Sequence, residues 1–167
     1  MRVLDLGSGS GAIIVTLLAE CSELTGVAAD VSVAALEVTL ENARLLSVAD
    51  RLVIVAGNWF EKVDGRFDVI VSNPPYIARR DMAGLEPDVG SYDPQIALAG
   101  GEDGLDAYRA IASGAGKHLA SAGRVFVEVG AGQAADVTAI FEAQGFAAAG
   151  QWVDLGRHMR VLAFAPG

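Results

Sequence analysis

Cysteine is almost absent. Cys21 is the only one in 167 residues, which excludes an internal disulfide framework and a cysteine-built metal cluster. A lone cysteine of this kind is expected to pack as a small hydrophobe. Basic side chains are also scarce, 12 Lys and Arg against 21 Asp and Glu, for a formal charge of −9. Binding nucleic acid through its phosphates requires a basic surface, and no Lys/Arg cluster occurs beyond Arg79-Arg80, so nucleic acid is disfavoured as a partner. No apolar run approaches the ~18 residues needed to span a membrane. Asp5 and the glycines at 7–11 interrupt the hydrophobic start that a signal peptide would need. The two histidines, His118 and His158, fall late in a predicted helix and at the start of the final strand, where surface or packing roles are expected. There is no internal repeat, low-complexity tract or linker. What remains, 52% hydrophobic and 20% charged, describes one globular domain over residues 1–167 with a single buried core, expected in the cytoplasm.

Strand-like and helix-like stretches alternate throughout. Val3–Leu6 reads as a strand, followed by glycines and a helix from about Ala12 to Glu20. Leu24–Ala29 is a second strand, and Ser32 can cap the next helix, with Leu36, Leu40 and Ala43 on one face. Leu52–Val55 and Phe67–Ser72 are two further strands. The latter is apolar nearly throughout, as expected of a strand covered on both faces. Leu105–Leu119 is helical, although Gly114 and Gly116 should weaken it, and Arg124–Val129 is a fifth strand. A helical stripe at Val137, Ile140 and Phe141 stops at Gly145. Phe146–Val153 and Met159–Phe164 leave no room for a helix between them and should form an antiparallel hairpin. The pattern predicts an α/β fold: a doubly wound, mostly parallel seven-stranded sheet closed by that hairpin. Residues 77–104 break the alternation, and connections that long are usually functional.

The most informative segment is Asn73-Pro74-Pro75-Tyr76, directly after the fourth strand. Proline fixes φ and lacks an N–H, so the corner is pre-shaped and its carbonyls can point into a cavity. Together with the Asn73 amide oxygen and the Tyr76 ring, that set suits a planar nitrogen group held by its N–H bonds. A proline turn capping a strand accounts for Pro74 and Pro75 but not for their neighbours.

Asp5-Leu6-Gly7-Ser8-Gly9-Ser10-Gly11 lies between the first strand and first helix. Glycines there permit a tight turn and close approach of a ligand to a helix N-terminus. The same spacing also satisfies a relaxed dinucleotide fingerprint, and Asp30 at the second strand's end suits ribose hydroxyls in either case. Asp5, and the corner containing Asn73, favour the sulfonium cofactor S-adenosylmethionine, because a cation tolerates nearby carboxylates better than a pyrophosphate does. Past the third strand, Asn58 can bond an adenine edge and Trp59 or Phe60 can pack on its face. The cofactor-binding set expected is thus Asp5, Gly7, Gly9, Gly11, Asp30, Asn58, Trp59 and Asn73.

With these residues in place, the chain resembles the catalytic domain of the HemK/PrmC family of protein-(glutamine-N5) methyltransferases, which modify peptide-chain release factors. The resemblance runs through residues 5–11, Ala29–Ser32, Glu41-Asn42-Ala43, Gly57-x-Trp59-Phe60 and Phe67–Ile77. It continues through Glu86-Pro87, Ala97–Arg109, Glu128-Val129-Gly130 and Gln133. It implies that Gly7, Gly9, Asp30 and Trp59 contact S-adenosylmethionine, that Asn73 and the Pro74 carbonyl hold a glutamine amide, and that Tyr76 packs near it. Asn73, Pro74 and Tyr76 are the expected catalytic residues, and Asn73 through Tyr76 the expected substrate-binding corner; no metal is expected. Asn58 stands where the family usually has Asp. The family also carries an N-terminal helical domain, and this chain starts inside the catalytic domain.

The implied partner is a release factor. Two acceptors, Asn73 Oδ1 and the Pro74 carbonyl, would strengthen their bonds as positive charge develops on the amide nitrogen, which lowers the barrier without a strong base. Glu128 reads equally well as a buried, paired carboxylate, and Asp154 and Arg157 as ordinary hairpin-turn charges. The acceptor pair would equally serve a methyltransferase acting on an exocyclic amino group of adenine or guanine. A methyltransferase-fold protein that binds cofactor or a partner without turnover is the alternative from another class.

Overall fold

The computed structural model describes residues 1–78 and 101–167. In chain order they form β1 (Arg2–Leu6), α1 (Ala12–Glu20), β2 (Thr25–Asp30), α2 (Val33–Leu45), a 3₁₀ turn (Ala49–Arg51), β3 (Leu52–Ala56), β4 (Phe67–Ser72), α3 (Asp106–His118), β5 (Leu119–Glu128), α4 (Ala134–Ala143), β6 (Phe146–Val153) and β7 (Met159–Pro166). The strands make one sheet in the order β3-β2-β1-β4-β5-β7-β6. The first five are parallel, and β7 inserts antiparallel between β5 and β6. This is the doubly wound sheet with a terminal hairpin that the sequence pattern predicts.

The period-two alternation of β1 assigns its neighbours. Leu4 and Leu6 face a core that includes Tyr108 and Ile111 of α3 and Val137 and Phe141 of α4. Val3 faces the other way, toward Ile14 and Leu18 of α1 and Leu36 of α2. Leu4, Leu6, Ile14, Leu18, Ile70 and Ile111 are completely buried, each worth about 1.5–3 kcal/mol of burial. Phe141 stacks on Phe164 with centroids 4.1 Å apart and meets Phe146 edge-on at 5.7 Å, fastening α4 to the hairpin. Arg51 ties the end of α1 to the loop that follows, donating to Leu18 O (2.6 Å), Leu24 O (3.0 Å) and Cys21 O (3.1 Å).

One boundary differs markedly from the sequence reading. β5 begins at Leu119, not Arg124, because Leu119 already pairs with Phe67; the register then shifts before Val69 meets Arg124. α3 runs unbroken through Gly114 and Gly116. The Phe60 ring lies where a Cβ on Gly114 would stand, so that glycine makes room for core packing. Residues 79–100, with Arg79-Arg80, Glu86-Pro87, Ala97-Leu98 and most of the long connection, lie outside the described residues. Cys21 is exposed rather than packed, since it follows the last turn of α1 at the surface.

Candidate functional site

Parallel register sets the site. Leu6 pairs with both Ala29 and Ser72, and Asp30 pairs with Ala56. The residues that leave the sheet next, Gly7, Asn58 and Asn73, therefore emerge with Asp30 at one edge, on either side of the point where the strand order reverses between β1 and β4. The buried Ser72 hydroxyl locks that edge, donating to the Leu6 carbonyl at 2.7 Å. A cavity of about 1020 Å³ opens there, lined among others by Asp5, Gly7, Gly9, Asp30, Asn58, Trp59, Asn73 and Pro75.

The glycine turn is held from three sides. Gly7 and Ser8 donate to the Ala29 carbonyl (2.8 and 3.2 Å), and Gly9 N–H donates to Asp30 Oδ2 (2.9 Å). The other Asp30 oxygen accepts from Ser32 N–H at 2.8 Å, so one carboxylate ties the turn to the start of α2. From α2, Thr39 donates to Gly9 O (2.8 Å) and Asn42 to Ser10 O (2.9 Å). Thr39 sits fully buried on the helix face that also carries Leu36 and Ala43. A hydroxyl among those apolar positions was the available signal for this role, which the sequence reading passed over.

Asp5 is the anomaly of the core. Alternation directs it toward α1, where Oδ2 accepts from Ile14 N–H in the first turn (3.2 Å). Its other oxygen and the Ser8 hydroxyl are buried without a partner among the described residues. Burial pushes the Asp5 carboxyl up to about 7, against the pull of the Ile14 bond and with help from Asp30 nearby. Two unpartnered polar groups in the wall of a cavity are where a bound ligand would complete the bonding.

On the opposite wall, Asn73 is exposed to the cavity, and its side-chain amide has no partner among the described residues. Pro74 is buried at the corner and Pro75 half-buried. Tyr76 lies behind them: its ring would meet a Cβ on Gly130 at 3.0 Å, and its carbonyl accepts from Gln133. Neither Pro74 nor Tyr76 is among the cavity-lining residues. Gly104, at φ +80°, would place a Cβ 2.5 Å from that same Tyr76 carbonyl, which is why a side chain is absent there. Asp103 and Asp106 bind Arg109 (2.6 and 2.9 Å), with Arg109 holding Asp103 down at about 2. The Gly101–Asp106 segment is thus a braced turn leading into α3.

The structure adds detail at Gly11, Phe60, His118 and Asp154. Gly11 does not line the cavity; at φ +78° it starts α1, and a Cβ there would meet Thr39 Cγ2 at 2.6 Å. Trp59 lines the cavity, whereas Phe60 stacks on His118 (4.9 Å, 16°) over Gly114 and serves as core. His118 is accordingly a packing residue, its Nδ1 3.2 Å from the Gly65 carbonyl. Asp154 pairs with Arg160 at 3.0 Å at the hairpin, a structural contact.

Residues 1–85 match the family described as "Methyltransferase small domain". The Release factor glutamine methyltransferase of Agrobacterium fabrum is 48% identical over 163 residues, which are 98% of this chain and 56% of that protein. The protein of the same name from Cereibacter sphaeroides is 51% identical over 165 residues, covering 98% of this chain and 59% of its own length. The chain therefore spans little more than half the length of these curated relatives. Among solved structures, an RNA methyltransferase from Salinibacter ruber in complex with S-adenosyl-L-homocysteine superposes with a TM-score of 0.62 at 18% identity, over 99% of this chain and 80% of that one. That likeness concerns the fold.

Proposed function

Because the chain belongs to the methyltransferase small domain family, we propose that it transfers a methyl group from S-adenosylmethionine to the side-chain amide nitrogen of a glutamine in a protein, a peptide-chain release factor. The observation that carries this reading is the pairing, across one cavity, of the acid-lined glycine turn with Asn73, whose amide no described residue occupies. Curated relatives at 48% and 51% identity bear the corresponding name. The excess of acid over base supports a protein over a nucleic acid as the acceptor.

The residues present suit S-adenosylmethionine. Asp5 Oδ1 and Ser8 Oγ offer unspent acceptors to the cationic amino-acid end, Asp30 has a lone pair on each oxygen for ribose hydroxyls, and Asn58 and Trp59 bound the adenine end. Bound there, the cofactor supplies an electrophilic methyl group. Asn73 Oδ1 and the Pro74 carbonyl accept the two N–H bonds of the glutamine amide, and Pro75 and Tyr76 keep that corner rigid. An amide nitrogen is a poor nucleophile because its lone pair is delocalised. Both acceptor bonds tighten as the nitrogen becomes positive, so the clamp binds the transition state better than the ground state. The proton becomes acidic only at that point, so water suffices to remove it.

The test offers methyl-labelled S-adenosylmethionine with a bacterial release factor, ribosomal RNA or DNA in parallel. Label on a release-factor glutamine is expected. Label in either nucleic acid would assign the clamp to exocyclic amino groups instead. Calorimetry showing no cofactor binding would leave a fold without the activity.

A further inference from the structure

Gln133, immediately before α4, joins three segments that are far apart in sequence. Its Nε2 donates to the Tyr76 carbonyl at 3.0 Å and to the Gly104 carbonyl at 3.3 Å. Its Oε1 accepts from Gly130 N–H at 3.0 Å. The Tyr108 hydroxyl, which donates to Glu128 O at 2.9 Å, stands 3.4 Å from the same oxygen. Two carbonyls on one side and an N–H on the other fix which end of the amide is nitrogen. Only a primary amide matches this environment: a carboxylate would turn an acceptor on two acceptors. The fit is close on every side, since a Cβ on Gly104 would lie 2.8 Å from Nε2 and one on Gly130 2.6 Å from Oε1.

Gln133 is not among the cavity-lining residues and forms no hydrogen bond to the cofactor-side set among the described residues. One of its bonds ends on the Tyr76 carbonyl, behind the corner whose cavity side carries Asn73. On the sheet side the corner is anchored through the Ser72–Leu6 bond. On the far side of the prolines, among the described residues, the Gln133 side chain holds the Tyr76 carbonyl, and losing it lets the stiff corner shift.

We propose that Gln133 is a positioning residue for methyl transfer: by holding the Tyr76 carbonyl against the Gly104 turn and the end of β5, it aims the Asn73–Pro74 acceptor pair at the transferable nitrogen. This rests on the transferase reading above. Displacing such a pair by a fraction of an ångström to an ångström lowers the chemical step without touching the cofactor half of the cavity.

The experiment compares Gln133→Ala and Gln133→Glu with the native chain, measuring methyl transfer to a release factor, S-adenosylmethionine affinity by calorimetry, and backbone amide shifts by NMR. In both variants kcat is expected to fall roughly 10- to 100-fold, with cofactor Kd within about twofold of native. For Gln133→Glu the ratio of variant to native kcat should recover between about pH 8 and pH 5.5, because a carboxyl facing two carbonyls has a raised pKa and donates once protonated. A kcat ratio near one, a parallel loss of cofactor affinity, or a Glu deficit flat with pH would overturn the proposal. If the native chain transfers no methyl group, the functional reading fails on its own. The shifts then decide the tie: amides of Tyr76–Ala78 and Gly104–Leu105 should move together in Gln133→Ala while Gly9 and Asp30 stay fixed, and unmoved Tyr76–Ala78 would refute it.

Discussion

Replacing Asp5 by Asn should make the protein's stability insensitive to pH where the native chain's is not. Asp5 is 1% exposed, and one oxygen has only the Ile14 N–H for company while the other has no described partner. Burial, with Asp30 as the facing charge, raises its ionisation from 3.8 to about 7. Between those values the folded protein keeps a proton that the unfolded chain has released. The contribution of this group is therefore complete below about pH 4 and is lost progressively as pH rises to about 7, an interval worth roughly 4 kcal/mol. Asparagine keeps the size and the acceptor for Ile14 but cannot ionise. The stability of Asp5→Asn relative to native should accordingly rise by about 3 kcal/mol between pH 5 and pH 8, read from urea midpoints at each pH. Parallel pH profiles for the two proteins would refute the reasoning, since they would mean that Asp5 is charged at pH 5 or hydrated in the fold. Calorimetry gives a second reading. A cation seated at the free Asp5 oxygen favours the ionised form, so native affinity for S-adenosylmethionine should increase from about pH 6 to pH 8, and the Asn variant's should not.

Two further substitutions separate the cofactor half from the scaffold. Thr39→Val preserves shape but deletes the 2.8 Å bond to the Gly9 carbonyl; it should cost about 1 kcal/mol of stability and weaken cofactor binding, with kcat at saturation unchanged. Arg51→Ala removes the donor to three carbonyls in the last turn of α1 and the loop after it, 2.6–3.1 Å away; denaturation should show a loss of about 1–3 kcal/mol without change in cofactor affinity.

The elements were legible because the sheet is covered on both faces by helices with clean apolar stripes, and because glycines and Ser32 mark the turns. Ser32 does cap α2, its Oγ accepting from Ala35 N–H at 3.2 Å. The start of β5 was hidden, since Leu119–Gly123 carries a bulge rather than a hydrophobic alternation. At the site, residues that leave a strand end could be placed by register: Gly7, Asp30, Asn58 and Asn73 converge as the pattern implies. Roles that depend on contacts across the fold could not. Whether Trp59 or Phe60 faces the cavity is decided by the space above Gly114, and Gly11 serves Thr39 rather than a ligand. The bonds of Gln133 to Tyr76 and Gly104 span 57 and 29 positions, beyond any local pattern.

The central claim, that Asn73 binds the transferable nitrogen and not the scaffold, is tested most directly by Asn73→Ala with methyl transfer and cofactor affinity measured on the same preparation. Transfer to the release-factor glutamine should disappear while S-adenosylmethionine binds with nearly native affinity. Retained transfer, or loss of both properties together, would contradict the account.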